Sequence, residues 1–355
     1  MKRLDVATRA RPTVPTVPTA PGAQAHPPIV VDGRHLDPTP VFDTYWRFAA
    51  ERQSMYVKRL SGQPGPWTSD PILGQHRFTN CFRAADRVSQ YLIRHVAYTG
   101  SQAPRELVFR ILLFKMFNKI ETWKLLSDNL GDLSWESFDV GVFDQVLTAA
   151  MDGGRRIYSP AYVVPPPKLG AIRKHTNHLM LLRAMMEQDL PERLQSCHSM
   201  ADAFDALRAF PSMGDFLAFQ FLIDINYSTA LKFDEMDFVV AGPGARDGIR
   251  KCFGEGSRGI EQQLIQYMCD NQDQEFERLG LEFGGLFGRR LQLIDCQNLF
   301  CEVDKYSRVA HPEILGASGR SRIKQKYHGR ADPVPAWFPP KWGINSTSVC
   351  VDLAS

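Results

Sequence analysis

The stretch FPSMGDFLAFQFLID, residues 210–224, indicates two helices that meet at a tight turn. Pro211 has no backbone N–H and therefore ends the preceding helix, whereas Gly214 permits close backbone approach. The apolar run after the turn predicts a helix whose first amides lack intrahelical acceptors and suit an anion. Two interpretations are open: a plain corner between helices, or a hairpin that holds a phosphate through Pro211, Ser212, Met213 and Gly214.

Helical spacing of apolar residues continues along most of the chain on both sides of this stretch. Proline and glycine clusters separate the helical segments, and strand-like alternation is scarce. The pattern predicts a mostly α-helical domain over residues 41–330. Residues 1–40 are rich in Pro, Thr and Ala and predict a disordered tail, and residues 331–355 predict a C-terminal tail.

The composition excludes several classes of protein. With 355 residues and 44% hydrophobic content, the chain can bury a sizeable core. Its seven cysteines form no C-x-x-C pair, which argues against a disulfide framework or a zinc ribbon. No apolar run approaches the roughly 18 residues of a membrane span. We therefore expect a cytoplasmic protein without a metal or other cofactor.

Charge is unevenly distributed, although the net charge is only +3. The stretch GRSRIKQKYHGR, residues 319–330 and here named the cationic segment, contains five basic residues and no acid. Such a run is either a solvated surface or a contact for a phosphate backbone. Its candidate DNA-phosphate contacts are Arg320, Arg322, Lys324 and Lys326.

Two acids follow the hairpin at a suggestive distance, since Asp234 lies 20 residues and Asp237 lies 23 residues after Gly214. This order resembles the helix-hairpin-helix DNA glycosylase superfamily, in which a hairpin grips the backbone and an aspartate faces the sugar of a flipped nucleotide. A carboxylate there stabilises positive charge on the sugar. The resemblance implies that Asp237 is the catalytic residue, and Asp234 is the less favoured candidate for the same role. Helix capping or solvent contact is the alternative for either acid.

Phe216 occupies the position of the lysine that bifunctional members of that superfamily carry, so no Schiff-base step is expected. The glycine-rich stretch that follows the acids is interrupted by Pro243 and does not match a dinucleotide fingerprint. It predicts the entry to another helix. Its candidate phosphate contacts are Gly242, Gly244, Arg246, Arg250 and Lys251.

Three long stretches, residues 66–92, 237–253 and 293–313, together carry a narrower resemblance. They resemble the α-glutamyl/putrescinyl thymine pyrophosphorylase family, whose helical domain is shared with proteins linked to 5-hydroxymethyluracil DNA kinases. The resemblance covers about residues 42–330. It implies a helix-hairpin-helix, glycosylase-like helical fold and a role with the hypermodified pyrimidines of phage DNA.

The same stretches supply a candidate base pocket. Four polar residues of residues 293–309 fall on one stripe of a helix, which is either a solvated face or a site-lining face. Helix capping is the alternative for Asn80, and an ion pair is the alternative for Arg83. The candidate pocket residues are Asn80, Arg83, Asp295, Asn298, Glu302, Lys305 and Tyr306.

The resemblance implies a monofunctional DNA glycosylase that removes a modified pyrimidine, such as glucosylated 5-hydroxymethylcytosine, and leaves an abasic site in antiphage defence. A transferase is the first alternative, in which an amino acid or polyamine is attached to activated 5-hydroxymethyluracil in DNA. A non-enzymatic DNA-binding protein is the second. DNA is the expected partner, and neither a membrane nor an obligate protein partner is expected.

Overall fold

A computed structural model describes residues 26–160, 164–329 and 335–346. Within these ranges the chain forms α-helices and one antiparallel hairpin of strands β1 (Ile29–Val31) and β2 (Arg34–Leu36). The mostly α-helical fold class is therefore confirmed. The helices are α1 (Pro40–Leu60), α2 (Pro71–Gln75), α3 (Arg87–Leu92), α4 (Pro104–Phe117), α5 (Ile120–Leu130), α6 (Val140–Asp152), α7 (Lys174–Glu187), α8 (Leu190–Ser196), α9 (Met200–Arg208), α10 (Asp215–Asn226), α11 (Pro243–Phe253), α12 (Glu261–Asp270), α13 (Gln272–Arg278) and α14 (Leu293–Ala310).

Local capping signals explain where several helices begin. The Thr39 side chain accepts a hydrogen bond from the amide of Val41, and Pro40 opens α1. At α9, Ser199 and Asp202 form a reciprocal capping box that satisfies two amides of the first turn. The capping residues of both starts lie next to their helices in sequence, and Thr39 also donates hydrogen bonds to the carbonyls of Lys251 and Cys252.

Helices α1, α11 and α14 pack together at the centre of the fold. Tyr45 and Trp46 of α1 are fully buried, and the Tyr45 ring lies 4.8 Å from the ring of Phe300 on α14. Gly248 of α11 lies directly against the backbone of Phe300, where a methyl group would overlap the carbonyl group. The absence of a side chain at Gly248 therefore sets how closely α11 approaches α14.

Ordered structure extends into both ranges for which the sequence predicted tails. Ile29 and Leu36 of the β-hairpin are buried, because they pack into the hydrophobic core. Near the other end, Phe338 is fully buried and Trp342 packs against the same core. Residues 1–25, 330–334 and 347–355 lie outside the described residues, so the tail prediction is not tested there.

In the ranges that the structure describes, no helix combines the length and hydropathy needed to cross a bilayer. The same ranges contain no group of three or more His, Cys, Asp or Glu side chains close enough to hold a metal ion. The six cysteines located there are all free thiols, and Cys350 lies outside the described residues.

We expect Gly248→Ala to lower the free energy of unfolding by about 1–3 kcal/mol, because the added methyl group overlaps the Phe300 backbone and forces α11 away from α14. Gly284→Ala is the matched control, since a methyl group at Gly284 meets no atom within 4 Å. Urea unfolding measures both changes. Equal effects of the two substitutions would contradict the proposed close approach.

Candidate functional site

Helices α9 and α10 are joined by the hairpin that the sequence predicted. The amide of Met213 donates to the carbonyl of Phe210 across 3.1 Å, and the Met213 side chain is buried beneath the turn. Ser212 has a left-handed backbone with φ of 64°, which closes the corner. Gly214 then caps α10. Pro211, Ser212 and Gly214 are exposed, so a ligand could reach them.

A cavity of about 360 Å³, here named the hairpin cavity, adjoins this corner. Asp215 at the start of α10 contacts Arg208 across 2.7 Å and places a negative charge at the helix N-terminus. The charged residues that line the cavity are three carboxylates and two guanidinium groups: Asp205, Asp215, Glu261, Arg208 and Arg246. This charge balance does not favour a phosphate anion.

The two candidate catalytic acids lie in an exposed turn after α10. Asp234 accepts a hydrogen bond from the amide of Met236 across 3.0 Å, and Asp237 lies on the surface. Asp237 lines neither the hairpin cavity nor the second cavity described below. Its neighbour Phe238 does line the hairpin cavity. The assignment of Asp237 as catalytic stays a prediction.

Sequence reasoning missed Glu235, which lies between these acids and is buried. Its Oε1 atom accepts hydrogen bonds from Arg289 across 2.9 Å and from the Trp342 indole across 2.8 Å. Burial raises the pKa of Glu235, although Arg289 opposes the shift. No local pattern could have identified this site, because both partners are distant in sequence and Trp342 belongs to a predicted tail.

The glycines before and within α11 are required by packing. A methyl group on Gly242 would lie 2.6 Å from the Phe216 ring, and one on Gly244 would lie 3.1 Å from the Cys301 sulfur. Gly242 is buried. These packing contacts explain why glycine occupies both positions, and the phosphate contact of Gly242 and Gly244 stays a prediction.

The three cations of α11 have different positions. Arg246 is exposed and lines the hairpin cavity, and Arg250 forms an ion pair with Glu255. Lys251 is fully buried, and its Nζ atom lies 3.0 Å from Oδ1 of Asp304 on α14. The prediction that Lys251 contacts DNA is therefore corrected: its charge is used to hold α11 against α14.

Arg83, predicted to line the base pocket, is instead buried in an ion cluster. Its guanidinium group binds both carboxylate oxygens of Asp224, at 2.6 and 2.9 Å. Lys115 of α4 contacts the same carboxylate at 2.7 Å. Burial alone would raise the pKa of Asp224, but the two cations lower it overall. Because its donors are committed inside the protein, Arg83 is a structural residue.

The polar stripe of α14 faces the turn around residue 80 and not the solvent. Glu302 accepts a hydrogen bond from the amide of Thr79 across 2.9 Å and pairs with Lys305 across 2.6 Å. Asn298 donates to the carbonyl of Asn80 across 3.0 Å. The Tyr306 hydroxyl donates to Asp70 across 2.6 Å. These side chains hold residues 70–80 in place, and of this group Asn80 borders the second cavity.

Asp295 begins the same stripe and is buried. Its Oδ1 atom accepts from the amide of Arg83 across 2.8 Å, and Oδ2 accepts from the amide of Gln292 across 3.1 Å. Burial raises the pKa of Asp295 to about 7, although both hydrogen bonds oppose the rise. Asp295 therefore caps α14 and anchors the turn at Arg83.

The cationic segment is held against the body along its described part, residues 319–329. The amide of Arg77 donates to the carbonyl of Gln325 across 3.1 Å, and the amide of Tyr327 donates to Gln75 across 3.0 Å. Ile323 packs against the core. The four candidate phosphate contacts are all exposed: Arg320, Arg322, Lys324 and Lys326. The structure thus presents a row of cations on a fixed backbone.

Comparisons with known proteins agree with one part of the sequence resemblance. The model of the family described as "5-hmdU DNA kinase, helical domain" matches residues 39–316. A 5-hmdU DNA kinase of Bacillus phage SP10 is 25% identical over 318 residues, which cover 83% of this chain and 49% of the relative. The chain thus spans about half the length of this curated relative. No solved structure matches the chain.

These matches confirm the resemblance to the helical domain of 5-hmdU DNA kinases. The wider place of the chain in the helix-hairpin-helix DNA glycosylase superfamily stays a prediction. Hairpin geometry alone does not decide it, because an ordinary corner between two helices has the same features.

We expect Asp295→Asn to gain stability relative to the wild type as the pH rises from about 4 to about 8. The pKa of Asp295 is about 7 in the folded protein, against an ordinary value of 3.8. The unfolded chain therefore releases this proton first, and the wild type loses stability across that interval. Asparagine has no proton to release.

Urea unfolding of both proteins at several pH values measures this difference in stability. Each unit by which the pKa of Asp295 in the folded protein exceeds that in the unfolded chain corresponds to about 1.4 kcal/mol. Asp128→Asn, at an exposed position on α5, is the control and should show no such trend. A stability difference between Asp295→Asn and wild type that does not vary with pH would disprove the buried, proton-binding state of Asp295.

Proposed function

Because the chain belongs to the family of the 5-hmdU DNA kinase helical domain, we propose that it acts on a modified pyrimidine of DNA by group transfer at the substituent on carbon 5. The observation that carries the DNA part of this proposal is the row of exposed cations on the cationic segment. Lys and Arg side chains that neutralise phosphates gain affinity from the release of condensed counterions.

The way in which the cationic segment is held supports this role. Arg308 donates to the carbonyl of Arg322 across 3.2 Å, and the amide of Ser318 donates to Asp247 across 2.9 Å. With the pairing to residues 75–77, three points of attachment fix the backbone. A fixed row of cations loses less conformational entropy when it binds a strand than a flexible tail does.

Group transfer is favoured over hydrolysis of the glycosidic bond for two reasons. The relative is named as a kinase, which is a group-transferring enzyme. A glycosylase also needs a carboxylate that faces a sugar in a water-excluding pocket, whereas Asp237 is exposed and lines neither cavity. The sequence alternative of a transferase therefore has more support than the glycosylase.

In the transferase alternative, the substrate base is 5-pyrophosphorylmethyluracil in DNA. An amine nitrogen attacks the methylene carbon on C5 of this base, and the bond from that carbon to the pyrophosphate oxygen breaks. Pyrophosphate leaves, and the nitrogen releases a proton to water.

We expect wild-type protein to change the mass of the base in an oligonucleotide that carries 5-pyrophosphorylmethyluracil, only when an amine is added, and to leave the strand intact. Asp237→Asn should retain this activity, since Asp237 lies outside both cavities. Mass analysis of the digested nucleosides measures the product. Release of free base with abasic sites, lost in Asp237→Asn, would establish the glycosylase instead.

We expect Lys324→Ala/Lys326→Ala to weaken DNA binding equally for all sequences and to reduce the slope of log affinity against log salt by about one for each side chain removed. Fluorescence anisotropy at several salt concentrations gives this slope. The double variant Lys124→Ala/Lys168→Ala removes the same charge from exposed positions elsewhere and should leave the slope unchanged. Equal slopes for all three proteins would disprove a phosphate contact at the cationic segment.

A further inference from the structure

A second cavity, of about 260 Å³, opens beside the cationic segment, and the candidate pocket residue Asn80 lies on its lining. It lies between the C-terminal half of α1, the loop of residues 62–70 and Tyr327. We propose that this cavity receives one pyrimidine base that is extruded from the DNA strand bound on the cationic segment. The proposal rests on the DNA-binding role above and adds the place where the base is held.

The size of the cavity fits a single ring. Pockets for drug-sized ligands usually measure about 300–1,000 Å³, and this cavity lies just below that range. Three aromatic side chains line it, namely Tyr56, Trp67 and Tyr327. Aromatic side chains are the usual stacking platforms for unstacked bases, because every base presents a π-face.

Trp67 is held in position before any ligand binds. Its indole N–H donates to the carbonyl of Gln63 across 2.6 Å. Gly65 lies against the ring, and a methyl group there would be 3.8 Å from it, in ordinary contact. A ring fixed in this way loses little entropy when a base stacks on it.

The polar part of the lining is also fixed. Arg52 donates from Nε to the carbonyl of Thr79 across 3.0 Å and from a terminal nitrogen to Asn80 across 2.5 Å. Asn80 in turn donates to the carbonyl of Ala85 across 2.7 Å. These bonds fix the guanidinium group on the lining of the cavity, and its remaining donors suit the ring carbonyl groups of a pyrimidine.

The cavity and the cationic segment form one continuous surface. Tyr327 lines the cavity and directly follows Lys326, and the hydrogen bond from the Tyr327 amide to the carbonyl of Gln75 fixes the backbone there. Arg59 is exposed at the same cavity and adds a further positive charge. A strand whose phosphates contact the cationic segment therefore passes the opening of the cavity, and one nucleotide can turn into it.

The test compares two labelled oligonucleotides that differ at one position, which carries either 5-hydroxymethyluracil or an abasic site. Wild-type protein should bind the base-containing strand about tenfold more tightly, as expected from stacking of one base. Trp67→Ala should abolish this preference but keep the affinity for the abasic strand and the salt slope. Trp67→Phe should retain most of the preference, since it keeps an aromatic face.

Tyr327→Ala is a second variant, because 43% of this side chain is exposed and its loss should not unfold the protein. It should also reduce the preference, whereas Lys324→Ala/Lys326→Ala should weaken both strands equally. Equal binding of both strands by wild type, or a preference that survives both aromatic substitutions, would overturn the base receptor while DNA binding stands. Failure of wild type to bind either strand would overturn the DNA-binding role and the base receptor together.

Discussion

The buried ion cluster of Arg83, Asp224 and Lys115 fixes the relative positions of three parts of the fold. Lys115 lies on α4, Asp224 near the end of α10, and Arg83 in the turn before α3. Loss of one partner from such a cluster costs about 3–5 kcal/mol, because a charge is left unpaired in the interior. The cluster thereby fixes α10, which directly follows the hairpin, and the turn that contains Asn80 and Arg83.

Helix α14 positions both the turn around residue 80 and helix α11. Its polar stripe bonds the backbone of Thr79 and Asn80, whereas Lys251 attaches α11 to Asp304 on the same helix. Buried polar groups require partners, and here the partners are backbone amides and carbonyls of an otherwise irregular segment. The residues that resembled a binding site therefore hold the backbone of this segment, and of them only Asn80 lines either of the two described cavities.

The two cavities differ in the charge of their linings. The hairpin cavity carries more carboxylates than guanidinium groups, so its field does not attract a polyanion. The second cavity carries Arg52 and Arg59 and adjoins the cationic segment. The proposed DNA contact therefore lies at the cationic segment and the second cavity, although the sequence directed attention to the hairpin.

The sequence by itself determined the helical class, the hairpin at residues 211–214 and the exposed cationic segment, because periodicity, capping and charge runs are local properties. It could not determine whether Lys251, Arg83 and Asp295 face solvent or the interior, since that depends on which helices pack together. The sequence also did not predict the burial of Glu235 or the position of Tyr327 on the lining of the second cavity, because the residues that surround each of them lie far away in the chain. Only the tertiary structure decided these points: burial and pairing of a charge are properties of the assembled fold, not of neighbouring residues in sequence.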